Sequence, residues 1–304
     1  MPHHFAMLKL LLLAALGSLL VSASPIELIE KRQTTFTTLT SAQISAFKPY
    51  THFASTAYCK PATTIGWSCG SNCNANPTFV PVASGGDGAS VQFWYVGYDQ
   101  NLKSVIVAHQ GTDTSKIEAL LTDANIVMKT LSTSLFPGIS SSIKVHDGFA
   151  DAHAKTAATI LSSVKTALSR SGYTKVTLVG HSLGAALALL DSVYLPLNLK
   201  GVTYRMIGYG MPRVGNQNFA DYVDANVDVT HINNKKDLVP ILPGRFLGFH
   251  HPSGEKHIQA SNAWIACPGQ DNTDDRCTVG TVGNILEGNT SDHSGPYDGV
   301  TMGC

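Results

Sequence analysis

One stretch near the middle of the chain, residues 175–190 with the sequence KVTLVGHSLGAALALL, constrains the fold more than any other. A short apolar run predicts a buried strand, and the small and unbranched apolar residues after it favour a helix. Between them stands a G-x-S-x-G sequence centred on Ser182, with Gly180 and Gly184 at its ends. So sharp a turn strains the backbone of its central residue, and the two glycines remove Cβ atoms that would collide. We therefore expect Ser182 to be a nucleophile and the N–H of Leu183 to point into the same space. The alternative is a serine in an ordinary glycine-rich turn.

The chain contains a second G-x-S-x-G match, Gly66-Trp67-Ser68-Cys69-Gly70, which serves as an internal control. No apolar strand leads into it, and two cysteines and a proline interrupt any helix after it. Because the strand-to-helix context is missing, we interpret Ser68 as a loop serine.

Length and composition predict one globular domain. The chain has 304 residues, of which 43% are hydrophobic, so the core needs no metal or repeat to hold it together. The formal net charge is zero, which gives no reason to expect nucleic acid as a partner. We expect the protein to be a monomer.

The N-terminal residues have the pattern of a targeting segment. Lys9 precedes an apolar run, residues 10–21, that is too short to span a bilayer and is followed by small residues. We predict a signal peptide over residues 1–23, a propeptide over 24–32 that ends in the basic pair Lys31-Arg32, and a single mature domain over 33–304. The alternative for the basic pair is a charged surface turn. The protein is thus expected to be secreted and to have no transmembrane segment.

Six cysteines lie in the expected mature chain, and an even number in a secreted protein indicates three disulfide bonds. Sequence distance favours Cys69 with Cys73 and Cys267 with Cys277, which leaves Cys59 with Cys304. Zinc is the competing interpretation of the Cys69–Cys73 pair, but no histidine follows at a finger-like spacing. We expect no metal ion and no cofactor.

Strand-like and helix-like segments alternate along the rest of the chain. Apolar runs predict strands over residues 91–98, 104–108, 202–209 and 227–232, after a long loop over residues 60–90. Apolar residues spaced by four and three predict one helix whose buried stripe is formed by Ala150, Ala154, Ala157, Leu161, Val164 and Leu168. This alternation predicts an α/β fold with a mainly parallel central sheet covered by helices on both faces.

Residues after the second predicted strand could stabilise a negatively charged oxygen. Gly111-Thr112 lies where α/β-hydrolases carry one N–H donor, so we expect the Thr112 N–H to join that of Leu183 in an oxyanion hole. The alternative is a plain turn. Residues 115–122 then put Ile117, Leu120 and Leu121 on one face of a short helix. That helix is either a lid that opens toward lipid or a helix packed permanently on the core.

A serine hydroxyl becomes a good nucleophile when a histidine accepts its proton and a carboxylate orients that histidine. In α/β-hydrolases both partners follow the serine, the carboxylate first. Asp237 lies in a loop just after a predicted strand, where such a sheet presents its functional groups. His293, on a polar C-terminal loop, is the preferred base and His251 is the second choice. We interpret His231, inside the strand, as a core residue.

Taken together, these residues resemble the fungal class 3 lipases and the related feruloyl esterases, from about Phe47 to Cys304. The motifs that carry the resemblance are Ala57-Tyr58-Cys59, Gly111-Thr112, Val145-His146-Asp147-Gly148-Phe149, Gly180-His181-Ser182-Leu183-Gly184-Ala185, Gly210-Met211-Pro212-Arg213-Val214-Gly215-Asn216, Asp237-Leu238-Val239-Pro240, His251 and His293.

The resemblance implies an α/β-hydrolase fold with a Ser182, Asp237 and His293 triad. It also implies an oxyanion hole of Thr112 and Leu183, a Cys59–Cys304 disulfide and a lid near residues 115–122. Two features depart from the family. Gln110 stands before the oxyanion glycine where relatives usually carry arginine, and the expected lid has no tryptophan.

We therefore expect a secreted serine carboxylester hydrolase, and within that class a triacylglycerol lipase that acts at lipid–water interfaces through an acyl-enzyme on Ser182. The alternative is an esterase for soluble feruloyl or other bulky esters, and the third interpretation is an inactive hydrolase fold used for binding. Asn289 begins an N-x-S/T sequon close to His293 and is an expected glycosylation site.

Overall fold

The computed structural model describes residues 35–112 and 126–304, which belong to one unit of the chain. The expected signal peptide and propeptide, residues 1–32, and the expected lid, residues 115–122, lie outside the described residues. The strands are β1 (Thr37–Thr38), β2 (Phe79–Gly85), β3 (Trp94–Asp99), β4 (Ser104–His109), β5 (Met128–Thr130), β6 (Lys144–His146), β7 (Lys175–His181), β8 (Thr203–Tyr209), β9 (Gly215–Asn216), β10 (Asp228–Asn234), β11 (Phe249–His250), β12 (Glu255–Ile258) and β13 (Trp264–Ala266).

The α-helices are α1 (Ser41–Ser45), α2 (Lys48–Thr56), α3 (Pro61–Thr64), α4 (Ser71–Ala75), α5 (Asp147–Ala154), α6 (Ala157–Ser171), α7 (Leu183–Asn198), α8 (Gln217–Asn226) and α9 (Thr278–Thr281). Short 3₁₀ helices cover Val239–Ile241, Arg245–Leu247 and Thr290–Asp292.

A nine-stranded mixed sheet organises the described chain, with the strand order β1-β13-β12-β10-β8-β7-β4-β3-β2. The five strands at its centre, from β12 to β4, are parallel to one another. The strands at both edges are antiparallel. A smaller sheet has the order β11-β9-β6-β5. Because the carboxyl ends of parallel strands meet at one edge, the loops after β4, β7 and β10 converge there.

Both faces of the large sheet are buried, as a parallel sheet requires. Along β4, Val105 and Val107 pack in one apolar cluster, whereas Ile106 and Ala108 pack in another. The first cluster includes the apolar side chains of α7, and the second includes Phe53 of α2. Neighbouring side chains of a strand point to opposite faces. The two clusters therefore lie on opposite faces of the sheet, each between the sheet and the helices that cover it.

Three disulfide bonds join Cys59 to Cys304, Cys69 to Cys73 and Cys267 to Cys277. These are the pairings favoured by the sequence. The first one ties the end of the chain to the residues after α2, and Ser55 of α2 also donates a hydrogen bond to the carbonyl of Gly303 at 2.7 Å.

Two predictions about regular structure were wrong in detail. The loop expected over residues 60–90 contains α3, α4 and the edge strand β2. The single helix expected over residues 150–168 is two helices that break at Lys155–Thr156, and Ala154 is exposed. The buried face of α6 is formed by Ala157, Ile160, Ser163, Val164 and Ala167. Gly172 ends α6 in the left-handed region, with φ 73°, as expected for a C-terminal glycine.

In the parts of the chain that the structure covers, no helix is both long and apolar enough to cross a membrane.

Candidate active site

Ser182 lies at the sharp turn between β7 and α7. Its backbone has φ 58° and ψ −130°, outside the helix it precedes, and its N–H donates to the carbonyl of Tyr209 at 2.9 Å. The flanking glycines are required by space: a Cβ on Gly180 would overlap the carbonyl of Gly184 and lie 2.7 Å from the Ala185 nitrogen. A Cβ on Gly184 would overlap the carbonyl of His109. The sequence therefore places a strained serine at this junction because only glycine fits around it.

The structure brings Asp237 and His293 together. Asp237 follows β10 after a two-residue turn, and His293 follows the 3₁₀ helix Thr290–Asp292. His293 Nδ1 lies 2.8 Å from Asp237 Oδ2, and both side chains have no exposed surface. Asp237 Oδ1 in turn accepts a hydrogen bond from the Val239 N–H at 3.0 Å. A carboxylate held this way fixes which histidine nitrogen carries the proton, because an ionised carboxylate can only accept.

Two polar atoms of the site are left without a partner. Ser182 Oγ and His293 Nε2 are both buried and make no hydrogen bond within the described chain. Since Nδ1 donates to Asp237, Nε2 is the free acceptor on the ring. Gly210, with φ 52°, makes room for the pair, because a Cβ there would lie 3.0 Å from the His293 ring and 2.8 Å from Asp237 Oδ2.

A second histidine, His181, packs against the first. The two ring centroids are 4.4 Å apart, and His181 Nε2 donates to the His293 carbonyl at 2.8 Å. His181 Nδ1 therefore accepts from the Tyr58 hydroxyl, 2.6 Å away. Burial and the neighbouring His293 lower the pKa of His181 well below its usual value. His181 is therefore a neutral ring beside His293.

The expected oxyanion segment runs directly past the serine. A Cβ on Gly111 would overlap the Tyr58 hydroxyl, lie 2.6 Å from the His181 carbonyl and lie 3.0 Å from Ser182 Cβ. Gln110, which stands where relatives usually carry arginine, holds the segment to Phe93, the residue before β3. Its side-chain oxygen accepts from the Phe93 N–H, and its own N–H donates to the Phe93 carbonyl, both at 2.8 Å. Thr112, the last residue of the described range 35–112, is partly buried.

None of the other candidate residues bonds to Ser182, Asp237 or His293 among the described residues. His251, the second choice for the base, places Nε2 2.7 Å from the Pro240 carbonyl, and its ring stacks on His231 at 4.9 Å. His231 is buried within β10, as expected for a core residue. Ser68 is exposed in the segment between α3 and α4, and Asn289 is exposed four residues before His293.

Sequence reasoning missed two parts of the surroundings. The Tyr58–His181 contact joins residues far apart in the chain, and the motif gave no sign of it beyond the presence of both residues. The second is a buried ion pair in which Arg213 Nε donates to Asp271 at 2.8 Å while the guanidinium also binds the Ile241 and Pro243 carbonyls. Arg213 lies in one of the motifs that carry the family resemblance, so the sequence indicated the arginine but not its partner Asp271.

One group of possible metal ligands occurs among residues 35–112 and 126–304, formed by Glu255, Cys267 and Cys277. The two cysteines are joined in a disulfide, and Glu255 accepts hydrogen bonds from the backbone and hydroxyl of Thr278. A disulfide sulfur is not a thiolate, so this group does not have the ligands of a zinc site.

Comparison with known proteins connects this geometry to a family. The sequence model for the class 3 lipases matches residues 106–247. The chain is 34% identical over 211 residues to a secreted mono- and diacylglycerol lipase of Malassezia globosa, covering 68% of each chain. Lipase II from Rhizopus niveus superposes with a TM-score of 0.76 at 26% identity, over 88% of this chain and 98% of that one. A triacylglycerol lipase whose structure is described as having a serine protease triad for its catalytic centre has a TM-score of 0.74 at 25% identity, over 88% and 98% of the two chains.

These similarities confirm two expectations from the sequence. The structural neighbours support the α/β-hydrolase fold, with its large mixed sheet and covering helices. Secretion is confirmed by relatives that are themselves described as secreted lipases.

Proposed function

As a member of the class 3 lipase family, this chain is a carboxylic ester hydrolase, and we propose that it cleaves acylglycerols at a lipid–water interface. Relatives are described as mono- and diacylglycerol lipases, and similar solved structures as triacylglycerol lipases. The shared chemistry is attack on a fatty acyl ester of glycerol. One observation carries the proposal: the bonded His293–Asp237 pair has a free Nε2, and the buried, unpartnered Ser182 hydroxyl comes directly after His181, whose ring packs 4.4 Å from that of His293.

In the proposed reaction Ser182 Oγ attacks the ester carbonyl while His293 Nε2 accepts its proton. Asp237 holds the ring through Nδ1 and stabilises the imidazolium that forms. His293 then returns the proton to the departing alcohol, which leaves an acyl-enzyme on Ser182. Water attacks the acyl group in the same way, with His293 as the base, and releases the fatty acid.

We assign stabilisation of the tetrahedral oxyanion to the N–H groups of Leu183 and Thr112. The first belongs to the opening turn of α7, where N–H groups have no partner within the helix. The second belongs to the loop after β4, whose neighbour Gly111 packs against Ser182. Loss of one such donor raises the activation free energy of a serine hydrolase by about 3 to 4 kcal/mol.

Ser182, Asp237 and His293 have no exposed surface, and this burial supports an opening movement before substrate binds. We assign that movement to the lid proposed over residues 115–122, whose apolar residues Ile117, Leu120 and Leu121 would turn toward lipid. This opening would make turnover rise once the substrate forms an emulsion.

Two almost fully exposed apolar side chains support action at an interface. Phe246, on the 3₁₀ helix after the Asp237 loop, is 90% exposed, and Leu286, before His293, is 91% exposed. The Leu286 loop is tied to the site, because the Asn289 N–H donates to the Lys236 carbonyl at 2.7 Å. Insertion of these side chains into lipid would bury their apolar surface and strengthen adsorption.

The proposal is tested by turnover of emulsified triolein and diolein beside soluble methyl ferulate and p-nitrophenyl butyrate, with Ser182→Ala as the blank. We expect turnover of the emulsions to exceed that of the ferulate and to rise sharply above the solubility limit. Turnover of ferulate without turnover of acylglycerols would assign the enzyme to soluble bulky esters. Ester hydrolysis that survives Ser182→Ala would remove the proposed nucleophile.

The interfacial part is tested by the double variant Phe246→Ser and Leu286→Ser. We expect it to lower emulsion turnover about tenfold by weakening adsorption, and to leave p-nitrophenyl butyrate turnover unchanged. Ile65→Ser is the control, because Ile65 is also an exposed apolar side chain (47%) and caps the end of α3. An equal loss on both substrates would show that the two side chains do not act through lipid.

A further inference from the structure

A buried bridge of two histidines and one carboxylate lies outside the proposed catalytic group. Asp191 Oδ2 is 2.7 Å from His109 Nε2, and Asp191 Oδ1 is 2.8 Å from His153 Nε2. The three side chains are at most 1% exposed. The ester hydrolysis described above assigns no role to any of them.

The bridge has a defined hydrogen-bond direction. Burial alone raises the pKa of Asp191, but His153 and His109 outweigh it and lower the pKa to about 2. The carboxylate is therefore ionised at neutral pH and can only accept, so both Nε2 atoms donate to it. A buried carboxylate with two charge-assisted bonds holds its partners firmly, because loss of either bond leaves it poorly solvated.

The bridge joins the two elements that carry the proposed oxyanion donors. His109 is the last residue of β4 and precedes the loop that leads through Gln110 and Gly111 to Thr112. Asp191 lies on α7, nine residues after Ser182, and Leu183 opens the same helix. The two elements also touch through their backbones, because a Cβ on Gly184 would lie 2.8 Å from the Gln110 carbonyl carbon.

The ladder of the sheet does not by itself fix the loop. His109 is the last residue of β4 paired with β7, opposite Gly180. Beyond it the backbone bond from Gln110 to Phe93 ties the loop to the residue before β3, and β3 is the neighbour of β4 opposite β7 in the sheet. The His109–Asp191 bond is thus a side-chain tie between the start of the loop and the helix that carries the other donor.

We propose that His109 and Asp191 are positioning residues for the oxyanion hole, setting the distance between the Thr112 and Leu183 N–H groups. This inference rests on the proposed function. It predicts that loss of the bond slows the chemical step more than it weakens substrate binding, because an oxyanion forms only after attack.

His153 provides the matched comparison. It binds the same carboxylate at nearly the same distance and is equally buried, but it lies on α5, which carries neither proposed donor. Its ring also packs between Phe136 and Tyr194, with centroids 5.4 and 5.3 Å away. A purely structural bridge would make the two histidines equivalent, whereas a positioning role separates them.

The experiment compares His109→Leu and His153→Leu, each with its glutamine counterpart, which keeps an N–H donor near the Nε2 position. The kcat and KM for p-nitrophenyl butyrate are measured per titrated active site, well below the melting temperature of each variant. Affinity for an alkyl trifluoromethyl ketone, which adds to the serine as an oxyanion, is measured in parallel. The Ser182→Ala protein is the blank throughout.

We expect His109→Leu to lower kcat by about tenfold to a hundredfold, with KM changed less than about twofold. The affinity for the trifluoromethyl ketone should fall by a factor similar to that of kcat. His109→Gln should recover most of that loss. His153→Leu should lower the melting temperature but keep kcat within about twofold. If His109→Leu does not fold, the same comparison is made with His109→Gln and His153→Gln, where a smaller kcat loss confined to the first supports the inference.

Equal kcat losses at the two positions, or unchanged kcat and ketone affinity at position 109, would overturn the inference while leaving the proposed function intact. Activity that is independent of Ser182 would instead refute the proposed function, and the inference with it.

Discussion

The substitution Gly111→Ala tests how tightly the loop after β4 is packed against the nucleophile. A Cβ at this position would lie 2.6 Å from the His181 carbonyl oxygen and 3.0 Å from Ser182 Cβ, and it would overlap the Tyr58 hydroxyl. Ordinary van der Waals contact begins near 3.4 Å, so the distance to the carbonyl falls short by 0.8 Å. The carbonyl belongs to the backbone of the serine turn and cannot rotate away.

The expected effect follows from that distance. Either the loop or the turn must shift by nearly 1 Å, which separates the proposed oxyanion donors from the position of the substrate oxygen. A displacement of about 1 Å costs roughly a hundredfold in rate. We therefore expect kcat to fall about a hundredfold, equivalent to about 2.7 kcal/mol of barrier, with a smaller change in KM.

The assay is turnover of p-nitrophenyl butyrate per titrated active site, with thermal unfolding of the same samples. Gly66→Ala is the matched control, because a Cβ on Gly66 would meet nothing closer than 3.5 Å and should leave both activity and stability unchanged. The double variant Tyr58→Phe with Gly111→Ala removes the hydroxyl but leaves the clash with the His181 carbonyl, so we expect it to recover only part of the loss. A Gly111→Ala enzyme with wild-type kcat would refute the view that this loop is fixed by the serine turn.

Three further predictions concern stability. Burial and the neighbouring His231 lower the pKa of His251 to about 3, so the unfolded chain binds this proton more tightly than the folded one. Protonation of His251 in the unfolded chain should therefore lower the free energy of unfolding by about 5 kcal/mol as the pH falls from 6.5 to 3. In acid urea titrations, His251→Gln should lose less stability over this range than the wild type. Arg213→Met should lower the free energy of unfolding by about 3 to 5 kcal/mol in neutral urea titrations, because it leaves the Asp271 carboxylate buried without its arginine partner. A decrease below about 1 kcal/mol would contradict this. Replacing Cys59 and Cys304 by alanine should lower stability by up to about 5 kcal/mol, since that bond closes a loop of 245 residues; an unchanged melting temperature would count against it.

The elements that were predictable from sequence are those with strong local patterns. The strand before Ser182 is an uninterrupted apolar run, and Gly180 and Gly184 are required by their own surroundings, so strand, turn and helix follow from a few residues. The edge strand β2 was missed because of its seven residues only Phe79 is fully buried, which gives no alternation to detect.

Contacts between distant segments were beyond the reach of such patterns. The order of serine, aspartate and histidine in hydrolases pointed to Asp237 and His293, but not to their 2.8 Å bond. The same limit applies to the Asp191 bridge, because three elements must pack before His109 and His153 meet one carboxylate. The break between α5 and α6 escaped detection since apolar residues continue at helical spacing across it.

The central claim is that this esterase works through an acyl-enzyme on Ser182, and the most direct measurement is covalent trapping. The protein is treated with diethyl p-nitrophenyl phosphate, and the labelled peptide is identified by mass spectrometry while ester hydrolysis is followed in the same sample. We expect one phosphoryl group per chain, on Ser182 and not on the exposed Ser68, with activity lost in proportion and with much slower labelling of His293→Ala. Labelling elsewhere, or full ester turnover by a protein phosphorylated at Ser182, would contradict it.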